Sequence, residues 1–355
     1  MHNLGIIGFG SMAGYYHYNT VKREDVNMPV TAVFDVRPEA RENAAKLGLK
    51  AYDNAADFFA DGSFDLVLVA TSNNQHCRSA CMAMEAGYPV IVEKPAALNA
   101  REVERMIDVS EKTGRFFTVH QNRRWDADFR LMMKAVKEGG IGEITSIESH
   151  CQMPDNAGCI YNWRGMRDHG GGMLMDWGVH MIDQLLWYVG KPVKSVYAVI
   201  RSIRSAEVDD CAKLLLTFDG GLTAEMEVST FSPLIMPRWM VYGTQGSVRV
   251  EDFESESAKV RRIQSGHWDE HPGIAYGETD FTVRTQNIYR VDQFEELEIA
   301  RDPGERLWPN IYKNLRDVLD GKDELFVKPQ EVLASMRVLD AAFESAEKNE
   351  VIRLN

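Results

Sequence analysis

The sequence predicts an α/β chain in two parts: a doubly wound parallel sheet at the N-terminus, then an α+β domain built on a large, mostly antiparallel sheet. Three observations carry this. Short apolar runs alternate with helical stretches through the first third, the pattern of βαβ units. After about residue 122, strand-like runs follow one another directly, which is the pattern of antiparallel pairing. The length of 355 residues suits about two domains of roughly 150 residues each. The division is expected as 1–122 and 123–355, with the last helix free to pack back on the first part.

The elements follow in order. An apolar run at 4–7 ends in glycines and leads into a helix over 11–21. A second strand, 30–34, stops at Asp35, and 41–47 reads as helix. The run at 66–70 (Leu-Val-Leu-Val-Ala) is continuously apolar, as parallel strands are when helices cover both faces. Helix is expected over 75–85 and 101–112, and strand over 90–92 and 116–119. Beyond 122, strands are expected at 144–151, 193–203, 211–218, 222–228, 238–241 and 247–250, interrupted by one helix, 173–188. Asp219-Gly220-Gly221 marks a hairpin because glycine supplies the positive φ that tight turns need. Residues 252–305 are polar and aperiodic, with room for a strand or two, and helices at 311–319 and 329–348 close the chain.

Composition excludes several classes. With 40 Lys+Arg against 53 Asp+Glu the net charge is −13, and there is no basic block for nucleic acid or anionic membrane. No apolar run approaches the ~18 residues that span a bilayer. Met1-His2-Asn3 runs straight into a strand, so no signal peptide is expected. Five irregularly spaced cysteines (Cys77, Cys81, Cys151, Cys159, Cys211) fit a reducing cytoplasm rather than a disulfide scaffold. Cys77 and Cys81 lack matching partners for zinc and read as ordinary thiols.

Gly8-Phe9-Gly10-Ser11-Met12-Ala13 fits G-x-G-x-x-A directly after a strand and at the opening of a helix, the context that a dinucleotide site requires. Gly8 permits the tight turn, Gly10 lets a pyrophosphate approach the backbone, and Ala13 lets helix pack on strand. The helix amides, starting at Ser11 and Met12, face the phosphates. Asp35 ends the second strand 22 residues after Ala13. Its carboxylate accepts from a ribose diol and repels a 2′-phosphate, so NAD is expected. NADP is the alternative, because the Arg37 guanidinium suits adenine or a 2′-phosphate.

Three further stretches carry a resemblance. Ala70-Thr71-Ser72-Asn73-Asn74-Gln75-His76, then Glu93-Lys94-Pro95, then Gly170-Gly171-Gly172 through Asp176 to His180 are similar to the glucose-fructose oxidoreductase / inositol dehydrogenase / rhizopine-catabolism (Gfo/Idh/MocA) family. The likeness continues through Gly243-Thr244-Gln245-Gly246-Ser247 and the last helix. Ser72 departs from it, since proline is common there. The resemblance implies a Rossmann domain joined to an open-sheet α+β domain, NAD(P)-linked chemistry on sugars, inositols or related polyols, and a homodimer or homotetramer formed through the open sheet. It places Thr71, Asn73, His76, Glu93, Lys94 and Gln121 at the cofactor. It places Arg123, Arg124, Tyr161, Trp163 and Arg164 near the substrate.

The residues support that chemistry independently. Lys94 ends a buried strand, where ligands of open α/β sheets sit, and an ammonium there stabilises an incipient alkoxide. Asp176 and His180 lie four apart on a helix and share a face. Imidazole titrates near neutrality and suits a general base, while Asp176 orients a hydroxyl or supports the charge. Lys94 and His180 are expected to act as a relay, with the immediate base left open; Asp183 shares the His180 face and could orient the ring, although a plain place on the helix surface is the stronger reading for it. Arg and Trp suit a polyol pocket. Arg123 and Arg124 cannot both point inward if extended. Met173, Met175 and Met181 read as packing. No metal site is expected, because Asp176 and His180 lack supporting ligands. Two alternatives to a dehydrogenase stand beside it. One is an NAD-retaining enzyme that cleaves glycosides by transient oxidation and elimination; the other is a silent NAD(P) sensor, for which a proton relay would have no use.

Overall fold

The structure, a computed structural model, describes residues 2–154, 160–264, 294–304 and 307–354. Six strands form the first sheet: β1 (Leu4–Ile7), β2 (Val30–Phe34), β3 (Lys50–Tyr52), β4 (Leu66–Val69), β5 (Val90–Val92) and β6 (Phe117–Val119). They pair in the order β3-β2-β1-β4-β5-β6, all parallel. β1, β4, β5 and β6 are buried along their whole length, because helices cover both faces. The strand order reverses between β1 and β4, and a crevice opens there at the carboxyl ends. Gly8 leaves β1 at φ +90°, and a Cβ on it would stand 2.8 Å from the Ala70 carbonyl at the end of β4. Only glycine fits that approach.

Nine strands form the second sheet: β7 (Ile144–Gln152), β8 (Val193–Arg201), β9 (Cys211–Phe218), β10 (Thr223–Ser229), β11 (Trp239–Gly243), β12 (Gly246–Val250), β13 (Ser257–Ile263), β14 (Phe294–Ala300) and β15 (Ile352–Arg353). Their order is β14-β13-β12-β11-β7-β10-β9-β8-β15. β7 and β10 run parallel; the other pairs are antiparallel. The hairpin expected at Asp219-Gly220-Gly221 joins β9 to β10, with both glycines at φ +88°. The helices Ala127–Gly139 and Pro329–Lys348 cover one face of this sheet.

Several elements exceed the sequence reading, the two-residue β15 among them. β3 has three residues and no fully buried position, too few to show a period. The helix Ala55–Asp61 is capped by Asn54, whose side chain accepts from the Asp57 amide at 2.9 Å. The helix Ala127–Gly139 buries Phe129, Met132 and Ala135, a helical spacing set among strand-like neighbours. Two expected helices are wound differently. Met12–His17 is a π-helical turn ahead of the α-helix Tyr18–Val21, and Leu174–Gly178 is another ahead of Val179–Val189. Such bulges concentrate at functional sites, and both of these line the crevice.

The last helix ties the two sheets together. The Asp340 carboxylate accepts from the Ala100 amide at 2.9 Å, and Ser345 Oγ accepts from the Ala198 amide of β8 at 2.9 Å. No helix of the described residues is long and apolar enough to cross a membrane.

Candidate active site

The crevice opens into a cavity of about 950 Å³ whose wall draws on both halves of the chain. At one end lies the glycine turn. The nearest atom to a Cβ built on Gly10 is Arg37 Nη2, at 3.8 Å, so Gly10 faces open space that a side chain would fill. Ser11 and Met12 line the cavity, while Ala13 is fully buried beneath them. Asp35 accepts from the Phe9 amide at 2.7 Å and the Arg37 amide at 2.8 Å. The Arg37 guanidinium adds a fork, Nε to Oδ1 at 3.1 Å and Nη2 to Oδ2 at 2.8 Å. Burial pushes this carboxyl up, but the bonds from Arg37 and Phe9 outweigh burial and hold it below the usual range. The bare Gly10 wall, the helix amides and the fixed Asp35 carboxylate together fit the pyrophosphate and ribose of a dinucleotide.

Thr71, Asn73 and His76 form the facing wall. Asn73 Nδ2 donates to the Gly170 carbonyl at 2.8 Å, linking the end of β4 to the glycines before Asp176. His76 Nδ1 donates to the Pro95 carbonyl at 2.7 Å, which braces the Lys94 turn. The Lys94-Pro95 bond is cis.

At the other end, Lys94 Nζ donates to Asp176 Oδ1 at 2.6 Å and to the Asp176 carbonyl at 2.9 Å. Arg164 Nε stands 3.9 Å from the same carboxylate oxygen. Burial raises the Asp176 carboxyl, yet the attraction and hydrogen bond of Lys94, with Arg164 and Arg123 behind, bring it below its ordinary value. His180 is 4% exposed and lines the cavity. Burial, then the positive charge of Lys94 and Arg123, hold its imidazole well below the usual histidine range. Its Nδ1 donates to Gln121 Oε1 at 2.9 Å. In the neutral ring that leaves Nε2 as an acceptor, the form a general base requires.

Several sequence-predicted residues lie elsewhere. Gln121 is buried, and its side chain holds His180 where the sequence reading had it at the cofactor. Arg124 is removed from the substrate group. It is 2% exposed, with Nη2 and Nε on Asp183 at 2.7 and 2.8 Å and Nη1 on Glu331 at 2.8 Å. Its partner Asp183 therefore does not orient His180. The physical reason is the partner it meets: although three residues along a helix is same-face spacing, Arg124 takes both Asp183 carboxylate oxygens. Tyr161 is 59% exposed and outside the cavity wall, whereas Trp163 and Arg164 line it, the guanidinium carbon 4.4 Å from the indole centroid. Arg123 also lines the cavity, 3.9 Å over the Trp177 ring and bonded to Asp126 at 2.8 Å. The thiols of Cys77 and Cys81 are buried; Cys159 lies outside the described residues.

Other residues at the site were not marked by the sequence reading. Trp177 joins the wall between Asp176 and His180. His120 follows β6, the carboxyl-end position at which ligands gather, and that signal was available. His17 gave a weaker one: it sits four residues after Ala13, on the same face of the helix. Its partner Tyr312 comes from a helix nearly 300 residues away, and no local pattern links the two. Among the described residues, His17, Glu93 and His120 form the one cluster of metal-ligating types, and their atoms bond to one another: His17 Nε2 to Glu93 Oε1 at 2.7 Å, His120 Nδ1 to the same oxygen at 3.1 Å.

A buried carboxylate also caps the helix that carries Asp176 and His180. Asp209 Oδ2 accepts from the Leu174 amide at 2.7 Å, and burial pushes its pKa to about 6. Gly172 passes so close, at φ +109°, that a Cβ would overlap Asp209 Oδ1 at 2.2 Å. Gly172 thus serves packing against this cap, while Gly170 lies against Leu98 and Gly171 against the Arg164 carbonyl.

The geometry has counterparts among known proteins. A model described as "Oxidoreductase family, NAD-binding Rossmann fold" matches residues 2–121, and one described as "GFO/IDH/MocA C-terminal domain" matches residues 129–249. The myo-inositol 2-dehydrogenase of Thermotoga maritima is 30% identical over 262 residues, 71% of this chain and 73% of its own. The crystal structure of an NAD-binding protein from Listeria innocua is similar at TM-score 0.84 and 34% identity, over 99% of this chain and 96% of that one. The WlbA dehydrogenase of Bordetella pertussis, crystallised with NADH and UDP-GlcNAcA, shares the fold at TM-score 0.77 and 24% identity, over 99% and 98% of the two chains. By its two matched domains, and by the nucleotide turn and cleft residues they contain, this chain belongs to the Gfo/Idh/MocA family of NAD-binding oxidoreductases.

Proposed function

We propose that the protein is an NAD-dependent dehydrogenase that acts on a hydroxyl of a sugar, glycoside or inositol. One observation carries the reading: Lys94 and Asp176 form an ion pair in the wall of the cavity that His180, held through Nδ1 by Gln121, also lines. When bound, NAD supplies the acceptor for a hydride leaving the carbinol carbon. The residues of the chain manage the oxygen. The Lys94 ammonium stabilises negative charge as it grows on that oxygen. His180 Nε2 takes the hydroxyl proton, since Gln121 occupies Nδ1. Asp176 holds Lys94 in place and is positioned to accept from a neighbouring hydroxyl. Arg164 and Trp163 give a polyol a fork of donors and a flat apolar face. Arg123 and Trp177 extend that wall.

The Asp35 carboxylate, with Arg37 already forked onto it, favours an unphosphorylated ribose and hence NAD over NADP. The names of the Thermotoga and Bordetella relatives point to inositol and sugar-nucleotide chemistry, which supports a polyol class without choosing its member. We also propose a homo-oligomer joined through the second sheet. Leu215 on β9 is half exposed, and Leu234, Ile235 and Met236 beyond β10 are exposed, as an apolar surface awaiting cover would be.

The test is a screen of inositols, aldoses and glycosides with NAD and with NADP, read by absorbance of the reduced nicotinamide. Turnover of at least one polyol is expected, faster with NAD. Tight cofactor binding with no turnover across the panel would overturn the dehydrogenase reading.

A further inference from the structure

The cluster of His17, Glu93, His120 and Tyr312 plays no part in the proton transfer above, yet it is an enclosed polar assembly at the cleft. Glu93 is 6% exposed, His17 0%, His120 1% and Tyr312 0%. Glu93 Oε1 receives His17 Nε2 at 2.7 Å and His120 Nδ1 at 3.1 Å, and Oε2 receives the Lys94 amide at 3.0 Å. Because Nε2 of His17 donates to a carboxylate, its Nδ1 is the acceptor in the neutral ring and takes the Tyr312 hydroxyl at 2.5 Å. The side-chain cation next in sequence, Lys94, is committed to Asp176. Burial pushes the Glu93 carboxyl up, but the attraction of His120 and the bonds from His120 and His17 hold it well below the carboxylate range. The assembly is therefore built to keep a negative charge in a buried place, which an unpaired carboxylate would not tolerate.

Its position gives that charge a use. Glu93 and His120 line the same cavity as Gly10 and Asp35, beside Lys94 and His180. With the phosphates at the glycine turn and a ribose at Asp35, the nicotinamide end of the dinucleotide extends toward the Lys94 end. The oxidised nicotinamide ring is a cation, and the reduced ring is neutral. We propose that Glu93, clamped by His17 and His120, makes the site bind NAD+ more tightly than it otherwise would relative to NADH, and so biases the enzyme toward oxidising its substrate. His17, His120 and Tyr312 are positioning residues that act through Glu93.

Titration of the full-length protein with NAD+ and with NADH, by calorimetry or quenching of tryptophan fluorescence, tests this without any substrate. It remains readable even if no polyol is turned over, so its failure is distinct from that of the dehydrogenase reading. A Glu93→Gln variant with wild-type circular dichroism is expected to lower the ratio Kd(NADH)/Kd(NAD+) by about tenfold, as loss of one charge in a medium of intermediate dielectric implies. His120→Gln, which loosens the clamp but keeps the carboxylate, is expected to move the ratio in the same direction by less, and it decides the matter if Glu93→Gln does not fold. Equal weakening of both cofactor forms, or an unchanged ratio, in the folded variant would overturn the proposal and reduce the cluster to a structural tie.

Discussion

Lys94→Ala is expected to lower kcat/KM by about a thousandfold, the scale at which enzymes lose rate when a group that stabilises developing charge or moves the proton is removed. The argument is local. Lys94 Nζ is fixed by two bonds to Asp176, and its backbone amide is fixed by Glu93. The ammonium is thereby placed before substrate arrives, and no reorganisation is needed as charge grows. Alanine removes the charge but leaves the glycine turn, Asp35 and the His180–Gln121 contact in place. Cofactor affinity should consequently change much less than kcat. The check is steady-state kinetics beside a cofactor titration and a thermal melt. Loss of cofactor binding in parallel with activity would show that Lys94 serves the cofactor rather than the reacting oxygen.

Arg124, one residue beyond Arg123, should behave in the opposite way. Its guanidinium is fully enclosed, forked onto Asp183 and bonded to Glu331 and to the Phe326 carbonyl. Asp183 is itself 1% exposed, so removal of the cation strands a buried carboxylate. Arg124→Met is expected to cost about 3–5 kcal/mol of stability, the penalty for breaking a buried pair from one side. Adding Asp183→Leu should recover most of that loss, because an apolar pair of similar volume does without the desolvation that the ions require. Denaturant unfolding of the single and double variants checks this. The activity of the folded Arg124→Met protein should stay within a few-fold of wild type, and a loss like that of Lys94→Ala would return Arg124 to the reaction.

This contrast shows what could be read from the sequence. The glycine turn, Asp35, Lys94 and the Asp176/His180 pair were legible, since each sits at the end of a regular element and its chemistry follows from where strands and helices stop. The parallel strands were legible because burial on both faces leaves unbroken apolar runs. Which of two adjacent arginines faces the cleft was not. Arg123 and Arg124 share a 3₁₀ turn, Asn122–Trp125, and their directions are set by Asp126 and Asp183, the second of which is 59 residues from its arginine. The partner of His180 is not legible for the same reason. Asp183 was near in sequence, but Gln121 reaches the ring from the end of β6. The His17–Tyr312 contact spans 295 residues and has no signature in either segment.

A crystal structure with NAD and an inositol or sugar that the enzyme turns over would test the central claim most directly. A single substrate hydroxyl oxygen should lie within hydrogen-bond reach, about 2.6–3.2 Å, of both Lys94 Nζ and His180 Nε2, with its carbon facing the nicotinamide. An oxygen that meets neither nitrogen, or a polyol bound away from the Lys94–Asp176 pair, would contradict the account.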